Sequence, residues 1–121
     1  MAKYHSRKVT RNGMTFDSVK EYKRYCELLL LVKAGAITDL QMQVEFELIP
    51  AQREPDRVGV RGGLKKGKVI EQAVKYVADF VYYENGNMVV EDVKSPATKT
   101  RDYILKRKMM LYFKGIKIRE V

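Results

Sequence analysis

At 121 residues with 45% apolar content, the chain has the size of one domain with a real core. No apolar run approaches the about 18 residues of a membrane span, the basic first 13 residues lack a signal peptide's apolar stretch, and a single cysteine, Cys26, excludes an internal disulfide. The expectation is one domain over 1–121, working in the cytoplasm, with a net charge of +9 that suits a polyanionic partner.

Residues 1–15 read as a basic arm. A helix is expected from Ser18 to Ala34, because Ser18-Val-Lys-Glu21 fits a capping box and Gly35 is a stop. Its apolar stripe reads as Val19, Tyr22, Tyr25, Cys26, Leu29 and Val32. Residues 40–48 alternate, with Leu40, Met42, Val44, Phe46 and Leu48 on one face, and Pro50 ends the strand. Residues 51–73 are an insertion rich in Gly and basic side chains, read as a long mobile loop or a distorted hairpin tip. Residues 74–83 and 88–94 are expected to form a hairpin about Asn85-Gly86, with Val74, Tyr76, Ala78, Phe80 and Tyr82 sharing a face. A second helix runs from Thr98 or Thr100 to Lys114-Gly115, with Ile104, Leu105, Leu111 and Tyr112 on its apolar side. Ile116-Lys-Ile118 reads as a last strand. That order, helix, three strands, helix, strand, suggests an α/β mixed central sheet flanked by helices.

The charge is segregated. Residues 1–13, 53–68 and 94–119 carry 19 of the 24 Lys and Arg but only 3 of the 15 Asp and Glu. What is left is an acidic centre inside a basic frame, a layout suited to phosphate binding around a metal pocket.

The hairpin makes that centre specific. With a two-residue turn, facing positions sum to 171, so Asp79 faces Asp92 and Phe80 faces Glu91. Two carboxylates ~5 Å apart at an effective dielectric of ~20 repel by about 3 kcal/mol. A divalent cation between them reverses that sign. Lys94 lies on the face of Asp92, whereas Glu91 points to the other face, so Asp92 is the chosen ligand; a bulge or register slip would exchange it for Glu91. Glu21 is either the reciprocal acid of its capping box or a third acidic ligand. Gln43 is either an exposed strand residue or within reach of the site. His5, the only histidine, lies in the arm and is read as incidental, and Cys26 is read as a buried free thiol.

These residues resemble the PD-(D/E)XK nuclease superfamily: Asp79 on one strand, Asp92-Val-Lys94 on the next, and Glu21 on the preceding helix. The phrases Phe16-Asp-Ser-Val-Lys-Glu21, Gln43-Val-Glu-Phe-Glu-Leu48, Tyr76-Val-Ala-Asp-Phe80 and Val90-Glu-Asp-Val-Lys94 also resemble a family of small phage and prophage proteins, a domain of unknown function with that core. Two departures are Ala78 where the motif often has Pro, and Asp rather than Glu as the second acid. The resemblance implies a restriction-endonuclease-like αβββαβ fold and a Mg²⁺-dependent DNA endonuclease, with Mn²⁺ able to substitute. Glu21, Asp79 and Asp92 would hold the metal, and Lys94 would complete the catalytic set. It further implies an enzyme akin to Holliday-junction resolvases and transposase endonuclease subunits, acting on branched DNA in a bacterial host and plausible as a homodimer. Lys65, Lys66 and Lys68 in the insertion, with Lys99, Arg101, Lys106, Arg107 and Lys108 near the second helix, would bind the phosphate backbone. Other classes are a non-catalytic nucleic-acid-binding or regulatory protein on the same fold, and a ribonuclease or RNA-binding module.

Overall fold

The computed structural model describes residues 8–121; His5 lies outside them. The part of the expected arm that is described is a hairpin. β1 (Val9–Arg11) pairs antiparallel with β2 (Met14–Phe16) about Asn12-Gly13, whose φ values of 52° and 77° suit a primed two-residue turn. The helix α1 (Val19–Lys33) follows, with the Ser18 hydroxyl accepting from the Glu21 amide at 3.1 Å. β3 (Thr38–Ile49) then leads into the insertion.

The insertion is a two-tier ribbon. β4 (Gln52–Arg53) pairs with β7 (Val69–Glu71), and β5 (Arg57–Val58) with β6 (Leu64–Lys65), both antiparallel. β8 (Val74–Glu84) and β9 (Asn87–Asp92) form the expected hairpin: Phe80 faces Glu91 and Glu84 faces Asn87, and the turn residues Asn85 and Gly86 have φ of 52° and 79°. A 3-10 turn (Pro96–Thr98) precedes α2 (Arg101–Lys114), which is capped by the Thr100 hydroxyl and ended by the left-handed Gly115. The last strand, β10, is Arg119–Glu120 rather than Ile116–Ile118; Ile118 is instead a core residue.

The main sheet has the order β10-β9-β8-β3. β8 runs antiparallel to β9 and β3, and β10 runs parallel to β9, so the sheet is mixed. With the small ribbons set aside, α1-β3-β8-β9-α2-β10 follows the expected order, and the described residues form an α/β fold with a mixed sheet and two α-helices.

Two cores flank this sheet. One gathers Leu48, Tyr76, Ala78, Val81 and Val90 with Tyr103 and Met110 of α2. The other gathers Phe80 and Tyr82 with Leu28 of α1 and Ile37, and Leu40 and Met42 pack against it. The expected single faces of β3 and β8 are therefore wrong. Leu40 and Met42 face α1 but Val44, Phe46 and Leu48 face α2; Phe80 and Tyr82 face α1 but Tyr76 and Ala78 face α2. The switch in β3 falls at Gln43, whose φ of 52° is left-handed and resets the two-residue alternation.

Both helix stripes are also displaced from expectation. α1 turns Glu21, Arg24, Tyr25, Leu28 and Leu31 inward and leaves Val19, Leu29 and Val32 exposed. α2 buries Tyr103 and Met110, with Ile104 and Met109 packed, while Leu105, Leu111 and Tyr112 are exposed.

Candidate functional site

The ladder between β8 and β9 ends at Phe80 and Glu91. One step further, the Val93 amide donates to Asp79 Oδ2 at 2.9 Å instead of to a strand carbonyl. The Asp79 carboxylate thus caps the end of β9. On the other side, the C-terminal segment holds the same stretch: Val121 N donates to the Asp92 carbonyl at 3.0 Å, and Lys94 N donates to the Val121 carbonyl at 2.9 Å. The Asp92-Val93-Lys94 backbone is therefore fixed from both flanks.

Asp92 is 2% exposed, and its Oδ2 accepts from the Tyr76 hydroxyl at 2.6 Å. The Lys94 ammonium lies 3.6 Å from Asp92 Oδ1 and 4.3 Å from the centroid of the Tyr103 ring, a cation–π position. Burial, and then the neighbouring Asp79 carboxylate, push Asp92 up to about 8, against the Tyr76 hydrogen bond and the Lys94 charge. Glu21, 4% exposed, is pushed up to about 7, first by burial and then by the charges of Asp79 and Asp17.

Gln43 joins the two acids that come from different elements. Its amide nitrogen lies 3.5 Å from both Glu21 Oε1 and Asp79 Oδ1, at the outer limit of a hydrogen bond. The register places Gln43 opposite Asp79, between the Met42–Phe80 and Val44–Ala78 pairs. The left-handed φ that switches the strand's faces thus occurs at the residue that contacts the acids.

A cavity of about 330 Å³ opens over this group, lined by Gln43, Tyr76, Asp79, Asp92, Lys94, Tyr103 and Lys106, among others. A second, of about 250 Å³, reaches Glu21 and also touches Asp79 and Lys94. Asp79 and Lys94 thus stand between a pocket that opens on Asp92 and one that opens on Glu21.

Glu91 belongs elsewhere. It is 0% exposed, and its carboxylate accepts from Arg24 Nε at 2.6 Å, Arg24 Nη2 at 2.9 Å and the Tyr82 hydroxyl at 2.5 Å. It is a fork-bonded ion pair pinning α1 to β9, on the face opposite Asp92. Cys26 is half-buried rather than buried.

The basic residues divide. Lys99 and Arg107 are held by Glu120 at 3.1 and 2.9 Å, tying α2 to β10. The Tyr103 hydroxyl donates to the same carboxylate, and these contacts hold Glu120 down to about 2. Lys106 is 3.3 Å from Asp102 and lines the larger cavity. Lys65, Lys66, Lys68, Arg101 and Lys108 are exposed.

Among the described residues, no three His, Cys, Asp or Glu side chains converge closely enough to hold one ion together. The carboxylates that meet are Asp79 and Asp92, with Glu21 beyond the Gln43 amide. Two direct carboxylates, a third at outer reach and space for water suit Mg²⁺, which keeps several of its waters.

Gln43 and Tyr76 both touch acids of the site, whereas the sequence leaves Gln43 either exposed or within reach and sets Tyr76 on an apolar face. Strand alternation puts Tyr76, three residues before Asp79, on the opposite face from it; the change of faces along β8 is what brings its hydroxyl to Asp92. The left-handed turn of Gln43 leaves no signal, because glutamine has no particular preference for that conformation.

A family model spans residues 1–120. The chain belongs to the DUF1064 family, described as a protein of unknown function. No curated protein and no solved structure matches it. The DUF1064 match takes in the whole acid–lysine group and the entire ribbon insertion, leaving out Val121 alone. Among the described residues of this DUF1064 chain, no helix is long and apolar enough to cross a membrane.

Proposed function

We propose that this chain is a Mg²⁺-dependent DNA endonuclease of the PD-(D/E)XK kind, selective for DNA structure rather than sequence and resembling Holliday-junction resolvases in phage or prophage DNA processing. The observation that carries the reading is the meeting of Asp79, Asp92 and Lys94 where the β8–β9 ladder ends. A buried acid, Asp92, and a half-buried one, Asp79, which a cation would relieve, beside a lysine and under an open cavity, have a chemical use in phosphodiester hydrolysis. As a pure phosphate-binding surface they would repel the ligand.

A bound Mg²⁺ would supply charge for the scissile phosphate and lower the pKa of an attacking water. Asp79 and Asp92 would hold it, with Glu21 accepting from one of its waters. In hydrolysis the water oxygen bonds to phosphorus as one P–O ester bond breaks. The Lys94 ammonium orients that water or hydrogen-bonds the phosphoryl oxygen where negative charge grows. Tyr76 fixes the Asp92 carboxylate, and Gln43 spaces Glu21 from Asp79. Exposed Lys65, Lys66, Lys68, Arg101 and Lys108 hold the DNA backbone. Two copies would be needed for paired cuts across a junction.

The test uses linear, flapped and four-way-junction DNA with Mg²⁺, Mn²⁺ or chelator, beside Asp92→Ala. Cleavage that needs metal and disappears in Asp92→Ala is expected. No cleavage in either metal rejects the enzyme; undiminished cleavage by Asp92→Ala rejects the site. The separation of Glu21 from Asp79 by the Gln43 amide favours, as a second reading, a non-catalytic DNA-binding protein on this fold. Salt-sensitive binding without cleavage would establish it.

A further inference from the structure

The ribbon of residues 52–71 has more internal order than a connection requires. Arg53 Nη1 donates to the Gly67 carbonyl at 3.0 Å, and Gly67 N donates to Asp56 Oδ1 at 2.9 Å. Glu54 N donates to the Lys68 carbonyl at 2.8 Å, and Gly59 N to the Gly63 carbonyl at 2.6 Å. Gly67 is buried, and a Cβ there would collide with the Glu54 carbonyl oxygen, so the two limbs cross at a point that admits only glycine. The backbone is locked, yet it carries apolar side chains outward. Val58 is 71% exposed, its cross-strand partner Leu64 is 74%, and Val60 at the tip is fully exposed.

Charge decides what these side chains meet. Residues 53–68 hold six basic and two acidic residues, and Asp56 is already engaged by Gly67. Arg57 and Lys65 face each other in the ribbon beside the Val58–Leu64 pair, and Arg61 follows Val60. An apolar protein groove could not take Val60 without also burying Arg61. A nucleic acid takes both, offering phosphates to the cations and base faces to the apolar tip.

Position adds to this. β3 runs six residues past Gln43 to Ile49, and β8 begins five residues before Asp79 at Val74. At about 3.3 Å per residue the ribbon starts roughly 17–20 Å from the acids, close to the width of a duplex. One DNA molecule over the cavity would also reach the ribbon.

We infer that this ribbon is a preformed wedge that recognises branch points in DNA: Arg57, Lys65 and Lys66 grip the backbones of two arms while Val60 and Leu64 enter the opening between them. Unstacking an intact base step costs free energy that a branch point has already lost, so the wedge discriminates junction from duplex. The inference rests on DNA as ligand, as the nuclease reading does, but not on catalysis.

The experiment measures binding in chelator, with a four-way junction and a linear duplex of equal length carrying 2-aminopurine at the centre. The double variant Val60→Ser/Leu64→Ser changes only exposed side chains, so the fold is kept, as circular dichroism would verify. It is expected to lower junction affinity about tenfold, with duplex affinity nearly unchanged and the junction's 2-aminopurine brightening lost. Lys65→Ala/Lys66→Ala is expected to weaken both ligands alike and to flatten the salt dependence. An unchanged junction-to-duplex ratio in Val60→Ser/Leu64→Ser overturns the wedge, as does conversion of a dimer to a monomer by that variant in sedimentation. Junction preference without cleavage would reject the nuclease and keep the wedge. Cleavage with an unaltered ratio would do the reverse.

Discussion

Without a cation, the acids over the cavity should make this protein less stable as pH rises through the neutral range, the reverse of ordinary acid denaturation. Asp92 moves from 3.8 to about 8 and Glu21 from 4.5 to about 7 on folding, both chiefly through burial. Between those values the folded chain keeps protons that the unfolded chain has released. The unfolded state binds fewer protons there, so stability is full near pH 4, falls as pH rises, and has lost this contribution above about pH 8. One such group gives at most about 1.4 kcal/mol per pH unit. Because both lie beside Asp79, their protons leave as a coupled set, which reduces the sum to on the order of 2–4 kcal/mol between pH 5 and 8. Urea unfolding at a series of pH values in chelator measures it. Asp92→Asn removes one acid and should about halve the slope, leaving the variant more stable than the parent at pH 8. Mg²⁺ should restore the parent at pH 8 and do little at pH 5. A parent whose stability is flat or rising from pH 5 to 8, or an Asp92→Asn variant weaker than the parent at pH 8, would refute the electrostatic account.

Arg24→Ala strands the fully buried Glu91 without its ion-pair partner and should cost about 3–5 kcal/mol in denaturant unfolding, far more than an exposed pair. Gln43→Gly relieves a left-handed non-glycine residue while deleting the amide between Glu21 and Asp79; stability should change by less than about 1 kcal/mol, but metal-dependent cleavage should fall at least tenfold. Gly67→Ala forces the ribbon limbs apart, and hydrogen exchange should rise across 52–71 with the main sheet unaffected.

The parts of the fold legible in the sequence were those set by short-range chemistry. Asn85-Gly86 fixes the hairpin register because both residues must take positive φ, and that register alone separates Asp92 from Glu91. The same dipeptide at Asn12-Gly13 carried equal information, but its strands are only three residues long and lie among basic residues, so the apolar flanks that support such a reading were missing. The α1 stripe was misphased because its buried side includes Glu21 and Arg24, which a search for apolar periodicity passes over. Their burial is repaid by partners on distant strands, Gln43 and Glu91, which the local sequence does not reveal. The alternation of β3 fails at one residue, Gln43, whose left-handed backbone no local sequence signal marks.

The change of faces at Gln43 and Asp79 divides responsibility for the site. Glu21 is positioned by the core under α1, whereas Asp92 is hydrogen-bonded by Tyr76 and Lys94 lies over the Tyr103 ring, both of the core under α2. Substitutions in one core can therefore tune one half of the acid group while the other half keeps its place. Asp79 and Gln43, on the seam, are the two positions that neither half can adjust alone.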